Sequence, residues 1–234
     1  MENTGVERVK SGIEGFDEVL KGGVPRRDIV LLTGSTGSGK TTLAMQFLAH
    51  GAKIGESGIY FTLEENPNDM VTWFSVFDPS IRSLIASGRL KVVSVPLTDY
   101  ETFKSLVSAE IDAMSAQRVV IDSVTYLQMF FSDIMSIRKA IMELSTMLKS
   151  KEVATFIIGE IPYGENKLSS FGVEEFASDG VIALYLVEKQ DTFIRALRVV
   201  KMRGTEHLTK FCPLEITPKG IVIYPNAELF TEMT

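Results

Sequence analysis

Residues 29–48 read IVLLTGSTGSGKTTLAMQFL, and this stretch decides the fold. An apolar run rich in branched residues ends at Gly34-Ser35-Thr36-Gly37-Ser38-Gly39-Lys40-Thr41, which fits the spacing G-x-x-x-x-G-K-[ST] in full. Glycines there let backbone N–H groups converge on a phosphate where a Cβ would clash. Lys40 supplies a cation to the outer phosphates and Thr41 a hydroxyl to Mg²⁺. The apolar spacing that follows predicts a helix over Lys40–Ala52, whose positive end faces the same anion. The alternative is a glycine-rich turn that merely links strand to helix; the full motif in its strand–loop–helix setting favours the phosphate cradle.

Outward from this stretch, short β-rich runs alternate with longer helical patterns. Strands are expected at Asp28–Thr33, Gly58–Leu63, Leu90–Val95, Arg118–Asp122 and Val153–Gly159. Helices are expected at Lys40–Ala52, Asp69–Phe77, Asp99–Ala116 and Asp133–Ser150. Such alternation implies an α/β fold, a mostly parallel sheet with helices on both faces and ligands at the carboxyl ends of the strands. Past Asp179, the runs VIALYLVE, FIRALRVVK, FCPLEIT and GIVIYP read as strands without helices, a C-terminal antiparallel extension of the same sheet.

Composition sets outer bounds. With 234 residues and 45% hydrophobic content, one domain with a substantial core is expected. The net charge of −6 argues against bulk attraction to nucleic acid or anionic lipid. Cys212 is the only cysteine, which excludes an internal disulfide and is read as a buried thiol. The polar N-terminus lacks the apolar core of a signal peptide and no apolar stretch is long enough to span a bilayer, so a cytoplasmic protein without membrane insertion is expected. Trp73 and Phe74, with apolar neighbours at helical spacing, are assigned to the core.

Carboxylates stand at two further strand ends. Asp122 closes RVVID, where it can orient waters on a metal held by Thr41; the plainer reading is an Asx turn. Glu64 and Glu65 close GIYFTLEE. Adjacent side chains of a strand face opposite ways, so one of the two is expected to activate the water that attacks the γ-phosphate, the other supporting it or leading into a helix opened by Asn66-Pro67. The cations of VVKMRGTEH, residues 199–207, pose a different question. On a strand end Lys201 and Arg203 share a face and repel unless an anion lies between them; gatekeeping cations on an exposed edge are the plain alternative.

Five segments together, SGIEGFDEVLKGGVP with the phosphate loop, YFTLEENP, VVIDSV, FGVEEFASDGVIAL and KMRGTEH, resemble in order those of a KaiC-type domain of the RecA-like P-loop ATPase superfamily. The resemblance runs from about Arg8 to Pro225, a single such domain within 1–234. It implies a RecA-like core, ATP and Mg²⁺ as cofactors, and assembly with further copies of the chain, a homo-oligomer expected as a hexameric ring with nucleotide between neighbours. It extends nucleotide contact to Gly34, Ser35, Thr36, Gly37, Ser38, Gly39, Lys40, Thr41 and Thr42, and metal contact to Thr41, Asp122 and Glu64. From the neighbouring copy it implies Lys201, Met202, Arg203, Thr205 and His207, which makes the anion between the two cations ATP on the next chain. Lys40, Glu64, Glu65, Lys201 and Arg203 are then the catalytic set. Where the autophosphorylating KaiC domain has a Ser-Thr pair, this chain has Glu175 and Phe176, which disfavours self-kinase activity. The expected function is a regulatory ATP hydrolase with an unknown protein partner. The alternatives are an ATP-gated assembly module with negligible hydrolysis, then an autokinase or a recombinase-like motor. The last is disfavoured because VTYLQMFFSDIM carries no cation and EIPYGENKLSSFG only Lys167, poor chemistry for binding nucleic acid.

Overall fold

The computed structural model describes residues 6–96, 98–165, 167–189 and 191–228. In chain order, β1 (Arg8–Val9), α1 (Phe16–Val19) and β2 (Val24–Pro25) lead into β3 (Ile29–Gly34) and α2 (Lys40–Lys53). Next come β4 (Gly58–Thr62), α3 (Pro67–Phe77), α4 (Ile81–Ala86), β5 (Leu90–Ser94), α5 (Tyr100–Met114) and β6 (Arg118–Asp122). A 3₁₀ turn (Val124–Met129) precedes α6 (Ile134–Ser150), β7 (Ala154–Glu160), α7 (Glu174–Ala177), β8 (Gly180–Lys189), β9 (Thr192–Met202), β10 (Cys212–Thr217) and β11 (Gly220–Ile223).

Nine strands form one mixed sheet in the order β11-β10-β9-β8-β3-β7-β6-β4-β5, an α/β RecA-like core with antiparallel C-terminal strands. Every residue of β3 and β4 is buried, as befits parallel strands covered on both faces, and this is why their sequences are continuous apolar runs. One apolar layer lies between the sheet and α2, with Phe47, Tyr60 and Phe156 fully buried; the other lies under α5 and α6, around Phe61, Phe103 and Ile141. Side-chain oxygens set the helix starts: Asn66 accepts from Asn68 N (2.8 Å), Asp99 from Thr102 N (2.8 Å) and Asp133 from Ser136 N (2.9 Å).

Two expectations change. The first strand after Asp179, β8, pairs parallel with β3, Val30 facing Gly180, and only β9, β10 and β11 run antiparallel. Asp179 makes the junction: its Oδ2 accepts from Ile29 N (3.1 Å) and its own N–H bonds to Ile29 O (2.8 Å), which seats β8 beside β3. The second concerns Trp73, which is 50% exposed while Phe74 is 6% exposed. Helix α3 turns only one narrow stripe inward, so neighbours one residue apart part company. Cys212 is buried, as expected.

Candidate functional site

The phosphate loop leaves β3 at Gly34, where a Cβ would lie 2.2 Å from Leu184 O, so only glycine lets the chain turn there. Gly39, at φ 107, is the N-cap of α2 and offers no side-chain acceptor, leaving the first N–H groups of that helix available to an anion. Ser38 Oγ is buried without a hydrogen-bond partner in the same turn. Lys40 Nζ folds back onto Ser35 O (3.1 Å), and burial pulls its pKa below the usual lysine range against the pull of Glu160 and Asp122. Gly34 to Thr42 are therefore brought together as a cradle of the kind a triphosphate requires.

A cavity of about 510 Å³ opens beside it, lined by Thr41, Thr62, Glu64, Glu65, Asp122 and Glu160, with Trp73 on its wall. Thr41, in the first turn of α2, donates its hydroxyl to Asp122 Oδ2 (3.2 Å) at the end of β6. Burial pushes the Asp122 pKa up, while Tyr60, Lys40 and Thr41 pull it back. Two oxygen donors this close, one a carboxylate that a cation would hold ionised, fit Mg²⁺, which takes one or two protein oxygens beside water and phosphate.

Glu64 and Glu65 correct the alternating-strand reading. β4 ends at Thr62, and Thr62 Oγ1 accepts from Glu65 N (2.8 Å) while donating to Glu65 O (3.1 Å). That turn removes the strand alternation, so both glutamates line the one cavity. Glu64 also meets Tyr126, whose pKa is raised by burial and by its hydrogen bond to that carboxylate.

Three further side chains join the site without any motif to mark them. Tyr60, fully buried on β4, donates to Asp122 Oδ2 (2.5 Å). Its signal was the strand period, since Tyr60 and Thr62 share a face and Thr62 lies opposite Asp122. Glu160 ends β7, and Arg195 Nε on β9 donates to Gly37 O (3.0 Å), a second cation at the loop within the same chain.

The cations of residues 199–207 lie elsewhere. Lys201 Nζ donates to Ser178 O (2.7 Å), and burial followed by the nearby Arg203 lowers its pKa. Arg203 Nη1 meets Asp179 Oδ1 (3.3 Å), a carboxylate also held by Lys149 (2.7 Å), and Nη2 donates to Phe176 O (3.2 Å). Within one chain Asp179 is thus the anion that answers the repulsion. Met202 is 5% exposed and packs where a Gly180 Cβ would stand, so its side chain is withdrawn from any ligand. Thr205 Oγ1 accepts from Arg8 (3.2 Å) and the His207 ring sits on Leu208 O (3.0 Å). None of these residues approaches the chain's own phosphate loop: Met202 pairs with Gly180 and Gly180 with Val30, four residues before Gly34, which puts ~13 Å of strand between the two ends.

The family model described as "ATPase: KaiC" matches residues 9–228. A UPF0273 protein of Pyrococcus furiosus is 36% identical over 96% of this chain and 96% of its own length. The circadian clock oscillator protein KaiC of a Nostoc species is 33% identical over 94% of this chain, which spans 45% of that longer protein. The crystal structure of a KaiC-like protein from Pyrococcus horikoshii superposes with a TM-score of 0.86 at 40% identity, covering 94% of this chain and all of the other. Sequence, sheet order and phosphate loop agree on one kinship: the chain belongs to the KaiC ATPase family.

Proposed function

We propose that the protein is a Mg²⁺-dependent ATP hydrolase used for regulation, with residues 8–225 acting as one domain and each pocket completed by a second copy. The observation that carries this reading is the division of the sheet. Lys40, Thr41, Asp122 and both glutamates gather at the carboxyl end of the parallel strands, while Lys201 and Arg203 stand at the other end, out of reach of their own loop.

Lys40 and the N–H groups of the loop hold the β- and γ-phosphates of ATP; Lys40 leaves Ser35 O to do so. Thr41 and Asp122, with Glu64 beside them, would hold Mg²⁺, which when bound would neutralise charge on those phosphates. Glu64 or Glu65 accepts the proton of the attacking water, and the cavity lets either approach. Arg203 of the neighbour then faces the charge that develops on the transferred phosphoryl group, with Lys201 behind it. Asp179 holds the guanidinium in place and uses only part of its five donors. Met202, Thr205 and His207 shape that segment through packing and hydrogen bonds. The kinship with KaiC supports a ring as the closed form of this head-to-tail contact.

Mixing tests the division. Lys40→Ala and Arg203→Ala are each expected to abolish most phosphate release alone, whereas a co-assembled mixture regains part of it at interfaces joining an intact loop to an intact arginine. Co-assembly proved by mass with no recovery of turnover would refute the split site.

A further inference from the structure

Asp122 receives two hydroxyl donors on the same oxygen. Thr41 Oγ1 approaches Oδ2 at 3.2 Å and the Tyr60 hydroxyl approaches it at 2.5 Å. Both side-chain hydrogen bonds that Asp122 makes among the described residues fall on Oδ2, and none of those residues donates to Oδ1. The two donors differ in standing. Thr41 is itself one of the oxygens that would serve Mg²⁺. Tyr60 is fully buried in the layer between the sheet and α2, its ring fixed by packing, so its hydroxyl has one place to point.

We propose that Tyr60 is a positioning residue for the divalent metal, acting through Asp122; this rests on the Mg²⁺-dependent reading above. By occupying Oδ2, the phenol fixes the carboxylate about its own axis and presents Oδ1 to the metal and its water shell. It also stabilises the ionised carboxylate in a buried place without bringing in a second charge. Supporting hydrogen bonds of this kind are typically worth 10–100-fold in metal affinity, and about tenfold is expected where the carboxylate works partly through metal-bound water.

Tyr60→Phe keeps the ring and removes only the donor. The readout is the Mg²⁺ concentration that half-restores tight binding of a fluorescent, non-hydrolysable ATP analogue, set against binding of the same analogue without metal. The midpoint is expected to rise about tenfold in Tyr60→Phe, with metal-free binding unchanged. In an Asp122→Asn background the same substitution should leave the midpoint where it was, because the carboxylate through which it acts is gone. An unchanged or lowered midpoint in Tyr60→Phe overturns the proposal. So does an equal shift in both backgrounds, or a variant that fails to fold without metal and nucleotide, since each makes the hydroxyl structural. If wild-type binding ignores Mg²⁺ altogether, the metal-dependent reading itself fails, a result distinct from a metal-sensitive wild type matched by its variant.

Discussion

Among single residues, Asp28 shows how the far end of the sheet is tuned. It precedes β3, where burial and then the Asp179 carboxylate raise its pKa from 3.8 to about 6, against the pull of Lys149, Arg8 and Arg203. A folded value above the unfolded one means that the folded state holds the extra proton. Stability from this group is therefore greatest at low pH and declines as pH climbs from 3.8 to about 6. Asp28→Asn should melt above the wild type at pH 8, and the gap should close as pH approaches 4. Melting curves offset by the same amount at every pH would show that the shift lies elsewhere. Because Asp179 also holds Arg203, the same substitution removes a charge from the surroundings of the proposed trans cation.

Among elements, α2 carries the site and depends on a buried cation at its far end. Arg118 is fully buried on β6, with Nε on Glu56 (2.5 Å), Nη1 on Phe47 O (2.8 Å) and its guanidinium 4.5 Å from the Phe47 ring centroid. Gly51 sits in α2 above it, and a Cβ there would lie 2.4 Å from Arg118 Nε. Alanine in place of a helical glycine normally gains about 1 kcal/mol. Overpacking a core costs about 1–3 kcal/mol, and a displaced guanidinium also loosens its bonds to Glu56 and Phe47 O, so the loss wins. Gly51→Ala is expected to lose roughly 2 kcal/mol net, a fall in Tm of about 4–8 °C. Calorimetry giving an equal or higher Tm would mean that Arg118 yields more freely than its contacts suggest.

At the scale of the whole molecule, the sheet sets a loop at one end and cations at the other, so the proposed contact between copies would be heterologous and would have to close or propagate. Trp73 is the one tryptophan of the chain, half exposed on the wall of the cavity beside the phosphate loop. A neighbour seated over that cavity would remove water from the indole. Mg-ATP should therefore shift its emission to the blue in a manner that grows with protein concentration, and the concentration dependence should weaken in Arg203→Ala. A shift identical at all concentrations would confine the pocket to a single chain.

What the amino-acid order settled unaided is local. The phosphate loop lies within eight consecutive residues, and its strand and helix follow from side-chain periods of two and 3.6. Asp122 and the Glu64–Glu65 pair were legible as carboxylates at strand ends for the same reason, and the order of segments carried the kinship. Pairing across the chain was decided only in three dimensions. β8 lies parallel to β3, some 150 residues earlier, because Asp179 and Ile29 exchange hydrogen bonds. Tyr60, Glu160 and Arg195 reach the site through register, not motif, and the Thr62 turn puts both glutamates in one cavity. The same register holds Arg203 at the far end of the sheet from Lys40. Strand periodicity says which face a residue occupies; which strand lies beside it depends on contacts between distant residues, and these form only as the whole sheet packs.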